Sequence, residues 1–260
     1  MSKKRTIVLV LCLLVIAASA GYLVHYCVSQ KQGNQVYEEL QDQNTTDPAD
    51  QSVEEVSQEQ SAQPEPYECP IDFEALWEVN PDIYAWIEIP GTELAYPIVQ
   101  HESDDDYYLN HTIEGAEGLP GSIYTDSFSQ KDFSRFNTVI YGHNMINETM
   151  FGSLRNYRDE SYLDEHREIR IYTPDELRIY QVFAAVIYDD TLITAAYDDD
   201  DGKDRQAFLD SIFDTRDLNS HVKDDVEVTT EDNIITLSTC IHDVPDKRYL
   251  VEAVLVDEQR

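Results

Sequence analysis

Cations are scarce in this chain: 18 Lys and Arg stand against 52 Asp and Glu, a formal net charge of −34 at pH 7. A surface of that sign repels phosphate and no basic stripe interrupts it, so nucleic acid is excluded as a partner. Cysteine is sparse as well. Cys12, Cys27, Cys69 and Cys240 lack the density of a disulfide framework, and no C-x-x-C pair offers a zinc knuckle. HExxH, P-loop and dinucleotide fingerprints are all missing, so neither metal nor organic cofactor is implied. The acidic run Asp198 to Gly202 does not supply a calcium loop, since the EF-hand pattern needs Asp at Tyr197 and Glu at Phe208. With 42% hydrophobic and 10% aromatic residues, most of the chain should nonetheless fold.

One long apolar run is present. Lys3, Lys4 and Arg5 precede Thr6 to Val24, 19 uncharged residues rich in Val, Leu, Ile and Ala. As a helix that length spans about 30 Å of hydrocarbon. The charge asymmetry puts residues 1–5 in the cytoplasm, 6–24 in the membrane as a single-pass anchor, and the remainder outside the cell. Ala18, Ser19 and Ala20 before Gly21 leave a cleaved signal peptide as the alternative. Residues 25–70 read as an extracytoplasmic stalk: Gln30 to Glu68 holds ten acidic side chains and a single cation, Lys31, and cannot offset the entropy of ordering, with room only for a short helical turn around Val36 to Leu40 to which no function attaches.

Residues 71–260 read as one mainly β domain. Ile71 to Val79 predicts a short helix stopped by Asn80-Pro81. Strands follow at Ala85 to Ile89, Leu94 to Val99, Gly121 to Thr125, Asn137 to Tyr141, Glu168 to Tyr172, Leu177 to Tyr188, Asn233 to Thr239 and Arg248 to Val256. Seven or eight strands with few helices predict a closed β-barrel. Phe208, Leu209, Ile212 and Phe213 recur at helical spacing and insert one helix, Asp204 to Asp217, before the last two strands.

The thiol of Cys240 ends one of these strands, where it can meet solvent. Arg248 opens the next strand, so a short loop returns a permanent cation towards the thiol and favours thiolate. His143 stands at the end of another strand, after Gly142. A Cys/His/Arg set at three strand ends supplies a nucleophile, a general acid/base and a donor for a developing oxyanion. His242, two residues past the thiol, is a rival base, and Asp243 could orient an imidazole. A buried, inert Cys240 in an acidic adhesion or assembly domain is the bland alternative.

The wording of the segments is more specific than their spacing. Thr236-Leu237-Ser238-Thr239-Cys240 with Arg248 resembles the active-site signature of sortases, the cell-wall cysteine transpeptidases of Gram-positive bacteria. Tyr141-Gly142-His143-Asn144-Met145 with Met150-Phe151-Gly152, Trp86 to Thr92, Tyr96 to Gln100 and Tyr107 to His111 resemble class B members. The likeness runs from about Asn80 to Val256 in the family's order. It implies a sortase-like barrel in which Cys240 attacks an LPXTG-like sorting signal of a secreted protein after Thr. His143 would then serve as acid and base and Arg248 would hold the substrate and oxyanion, with Ser238, Thr239 and Asn144 as substrate-binding residues. The acceptor would be an amine of peptidoglycan or a pilin. If water resolved the same acyl-enzyme, the chain would be a thiol endopeptidase.

Overall fold

The computed structural model describes residues 33–44 and 67–260 apart from 243, with isolated positions before residue 32. The first described element, α1, covers residues 33–44. A second helix, α2 (Phe73–Val79), is capped by Asp72, whose side chain accepts from the Ala75 amide at 3.0 Å.

Nine strands follow: β1 (Ile83–Glu88), β2 (Ala95–Val99), β3 (Ile123–Thr125), β4 (Asn137–Tyr141), β5 (Glu168–Tyr172), β6 (Leu177–Asp189), β7 (His221–Val222), β8 (Ile234–Ile241) and β9 (Val244–Gln259). Eight of them run β5-β1-β2-β3-β4-β8-β9-β6, and β6 returns to β5, so the sheet closes into a barrel. The short β7 pairs with β6 at Ala184 and Ala185, beyond the reach of β5. Closure leaves the eight strands no open edge.

Two apolar layers explain the sequence of the central strands. Ile140, Ile235, Leu237, Val251 and Ala253 belong to the main core, whereas Val139, Ile234, Leu250 and Val254 belong to a second cluster with Phe208, Leu209 and Ile212. A strand buried on both faces cannot alternate polar with apolar, hence the unbroken run Ile234-Ile235 and the apolar run of β9. Helix α3 (Glu160–Glu165) precedes β5. Between β6 and β8 the chain forms two helices where one was expected, α4 (Ile193–Ala196) and α5 (Gly202–Phe213). The second is N-capped by Asp201 and carries Phe208, Leu209 and Ile212 into the outer cluster.

Two expectations are corrected. The stalk does not extend unbroken over residues 25–70: α1 buries Tyr37, Leu40 and Asn44 on one face. Gln41 Nε2 donates to the Ala95 carbonyl at 2.8 Å, and Asn44 Oδ1 accepts from the Asp72 amide at 3.1 Å. Tyr67 and Cys69, a free thiol, also pack against the main core. Low average hydropathy concealed a stripe of spacing three and four that needs only those side chains to dock. Next, Cys240 does not end its strand: β8 continues to Ile241, which pairs with Val244, so Arg248 lies inside β9 and not at its start. Among the described residues no helix is long and apolar enough to span a bilayer. Most of residues 6–24 lie outside the described residues, as do Cys27 and Asp243.

Candidate active site

Parallel pairing of β4 with β8 places Tyr141 opposite Ser238. The two chains stay together past the ladder. The Gly142 amide donates to the Ser238 carbonyl at 3.2 Å, Thr239 Oγ1 donates to the Gly142 carbonyl at 2.7 Å, and Asn144 Nδ2 donates to the Cys240 carbonyl at 2.8 Å. The histidine segment is thereby stitched to the cysteine strand on both sides of His143. Gly142 leaves no room for a side chain, since a Cβ there would lie 2.5 Å from Ile123 Cδ1 and 2.8 Å from the Phe151 ring.

The imidazole is oriented from a distant loop: His143 Nε2 lies 2.7 Å from the Leu109 carbonyl. A carbonyl can only accept, so Nε2 carries the proton and Nδ1 is the basic nitrogen of the neutral ring. Gly121, at φ +68°, seals this corner; a Cβ on it would come within 2.6 Å of the Leu109 oxygen and 3.0 Å of His143 Cδ2.

On the other side, Cys240 pairs directly with Arg248 across the β8–β9 ladder. Arg248 Nη1 donates to the carbonyls of Pro245 at 2.9 Å and Lys247 at 3.0 Å, which fixes the guanidinium to its own hairpin. The Nε and Nη2 protons of Arg248 have no protein partner among the described residues.

Cys240, His143 and Arg248 open onto one cavity of about 420 Å³. Ser238, Tyr124, Tyr141 and Leu192 share its lining, as do the carboxylates of Asp105, Asp106, Asp126, Asp189 and Asp190. Tyr124 and Tyr141 stack at 5.3 Å, and both phenols are pushed above their ordinary range, first by burial and then by neighbouring carboxylates. They therefore act as neutral donors. A second cavity of about 430 Å³ follows the outer face of β4 past Asn137, Val139 and Asp199 and contains none of the three residues.

Ser238 and Thr239 line the catalytic cavity, although the Thr239 hydroxyl is engaged by Gly142. Asn144 is not in the lining and its amide serves Cys240. His242 is likewise outside it, at the exposed tip of the β8–β9 hairpin. Sequence reasoning overlooked Leu109 and Gly121 as parts of the site. Leu109 contributes a backbone carbonyl, which any residue possesses, so no side-chain pattern could mark it.

A thiol, an imidazole and a guanidinium gathered on one cavity by three neighbouring barrel strands are the working parts of a cysteine acyl-transfer enzyme. The family model described as "Sortase domain" matches residues 87–256. Sortase B of Staphylococcus aureus is 30% identical over 98% of this chain and 98% of its own length. Sortase B of Listeria monocytogenes is 33% identical over 64% of this chain and 65% of its own. Among solved structures, the Staphylococcus aureus sortase B–substrate complex superposes with a TM-score of 0.62 at 32% identity, covering 71% of this chain and 84% of that one. Sortase B of B. anthracis in complex with AAEK1 gives 0.64 at 33% identity, covering 75% and 88%. The chain belongs to the sortase family, in class B, and is a cysteine transpeptidase.

Proposed function

We propose that this enzyme is anchored in the cell membrane by residues 6–24, with its N-terminus cytoplasmic and its barrel outside the cell. There it cleaves an LPXTG-like sorting signal after Thr and joins the protein to an amine of peptidoglycan or a pilin. The observation that carries the chemistry is the direct β8–β9 pairing of Cys240 with Arg248, on a cavity that also holds an Nε2-protonated His143.

Cys240 Sγ attacks the Thr carbonyl while Arg248 donates Nε–H and Nη2–H to the substrate backbone and the developing oxyanion. The amide C–N bond breaks, a thioester forms, and the thiol's proton leaves through His143 Nδ1 to the departing amine. The acceptor amine then gives a proton to Nδ1, attacks the thioester and releases Cys240 as the new amide forms. Ser238 faces this cavity and contributes to substrate binding. Thr239 and Asn144 hold the nucleophile and base in register.

The solved relatives include sortase B in complexes named for a substrate and for a glycine tripeptide, which supports a peptide donor and an amine acceptor here. Lys3, Lys4 and Arg5 before an uncharged run support the anchor.

The test uses the chain from Ser29 onward, which retains α1, with a panel of sorting-signal peptides and amines, read by intact mass. An adduct equal to the peptide fragment ending in Thr is expected, absent in Cys240→Ala and converted to an amide by the amine. If the adduct yields only free acid whatever amine is present, the chain is a thiol endopeptidase. Fractionation of cells, with protease added outside, should find the barrel membrane-bound and accessible; recovery in the cytoplasm would overturn the anchored topology.

A further inference from the structure

Helix α1 lies outside residues 87–256, the span of the matched sortase domain. It nonetheless docks beside the catalytic histidine. Tyr37 is 3% exposed and its hydroxyl donates to the Gly121 carbonyl at 2.6 Å. The same oxygen accepts from the Ile113 amide at 3.2 Å and lies 3.1 Å from Ser122 Oγ. Ser122 in turn donates to the His111 carbonyl at 2.9 Å, and its amide donates to the Tyr108 carbonyl at 3.0 Å. One phenol therefore ties the C-terminal end of the loop from 108 to 122 to its middle at Ile113, and Ser122 carries the tie on to Tyr108.

That loop holds the imidazole. Leu109 presents the carbonyl to His143 Nε2, and Gly121 packs against both the Leu109 oxygen and His143 Cδ2. One turn earlier on α1, Gly33 admits no side chain, because a Cβ would stand 2.7 Å from Pro120 Cδ. The helix touches the loop at Pro120, Gly121, Ser122 and Ile113.

We propose that Tyr37 is a positioning residue for His143: by fixing Gly121 and Ile113, its hydroxyl holds the Leu109 carbonyl where it selects the Nε2–H tautomer and leaves Nδ1 as the base. The inference rests on the reading of His143 as the acid/base. It makes the segment that joins anchor to barrel a part of the active site.

The test compares the full chain in detergent micelles with Tyr37→Phe and, as a docking control, Gln41→Ala. The control loses the bonds from α1 to the Glu93 and Ala95 carbonyls, neither of which belongs to the loop from 108 to 122. Side-chain nitrogen NMR of His143 reads the tautomer, and the pH profile of Cys240 alkylation and of peptide acylation reads its consequence. Tyr37→Phe should mix the two tautomers, shift the histidine limb of both profiles, and lower kcat by about tenfold with KM within about twofold, a partial loss of general acid–base catalysis. Gln41→Ala should leave tautomer and profiles unchanged even if it unfolds at lower temperature.

A wild-type tautomer and profile in Tyr37→Phe, whatever its stability, would overturn the proposal. So would an equal shift in Gln41→Ala, since the effect would then come from loosening of the helix alone. Should the wild type acylate no peptide, the transpeptidase chemistry fails while the NMR comparison still decides the role of Tyr37.

Discussion

Asn144 Nδ2 donates to the carbonyl of Cys240 over 2.8 Å, so the residue after the histidine grips the residue that carries the thiol. The two lie 96 positions apart in sequence. Such a bond sets the distance between nucleophile and base without touching either reacting atom. Asn144→Ala is expected to lower the acylation rate about tenfold, as small misplacements of reacting groups do, with little effect on peptide binding. Single-turnover mass measurements separate the two quantities.

Gly142 occupies a slot closed by Ile123 and Phe151. Gly142→Ala forces apart two well-packed walls, at a cost of about 1–3 kcal/mol, and displaces the neighbouring His143. Denaturant midpoints should fall, and acylation should fall by more than the loss of folded protein explains.

Arg248 is anchored through Nη1 to the carbonyls of Pro245 and Lys247, which leaves a planar fork towards the cavity. Lysine keeps the charge and loses the fork. Arg248→Lys should reduce kcat/KM on the order of 10² by weakening oxyanion stabilisation, while Cys240 alkylation, which forms no oxyanion, stays within a few-fold of wild type. A comparable loss in both assays would show that the charge acts mainly on the thiol.

Glu252 is fully buried on β9, with Thr236 as its hydrogen-bond partner and Oε1 unpartnered among the described residues. Burial pushes its carboxyl from 4.5 up to about 8. The Thr236 oxygen lies 2.7 Å from Glu252 Oε2 and 3.0 Å from Asn137 Oδ1, and one hydroxyl proton cannot serve both acceptors. A neutral Glu252 donates its own proton to Thr236, which frees Thr236 to donate to Asn137. Between pH 4.5 and about 8 the folded chain holds a proton that the unfolded chain releases, so stability falls as pH rises through that window. The full effect is on the order of 5 kcal/mol. Glu252→Gln removes the slope. Guanidinium midpoints from pH 5 to 8 should show the variant gaining steadily on the wild type; parallel curves would mean that Glu252 is ionised in the fold.

Much of the barrel was legible because strand signals are local. Asn137 to Tyr141 and Glu168 to Tyr172 are strands with the bounds that β-branched content and flanking turns predicted. β7 was missed because two residues, His221 and Val222, are too few to show a period. Of helix α1 only a short turn around Val36 to Leu40 was legible, and its docking was hidden: Gln and Glu dominate it, and three buried side chains weigh little in any average.

The sequence by itself determined the chemistry available and its order along the chain: Cys240 on an apolar strand, an arginine soon after it, and His143 behind a glycine at another strand's end. These are properties of residue type and near neighbours, which composition and short spacing express. Only the tertiary structure decided which backbone carbonyl holds the imidazole, which nitrogen is left basic, and that Tyr37 reaches the same loop from a segment that reads as solvated. Those relations run between residues 34 and 84 positions apart and depend on backbone atoms common to every residue, so they exist only once the barrel has closed.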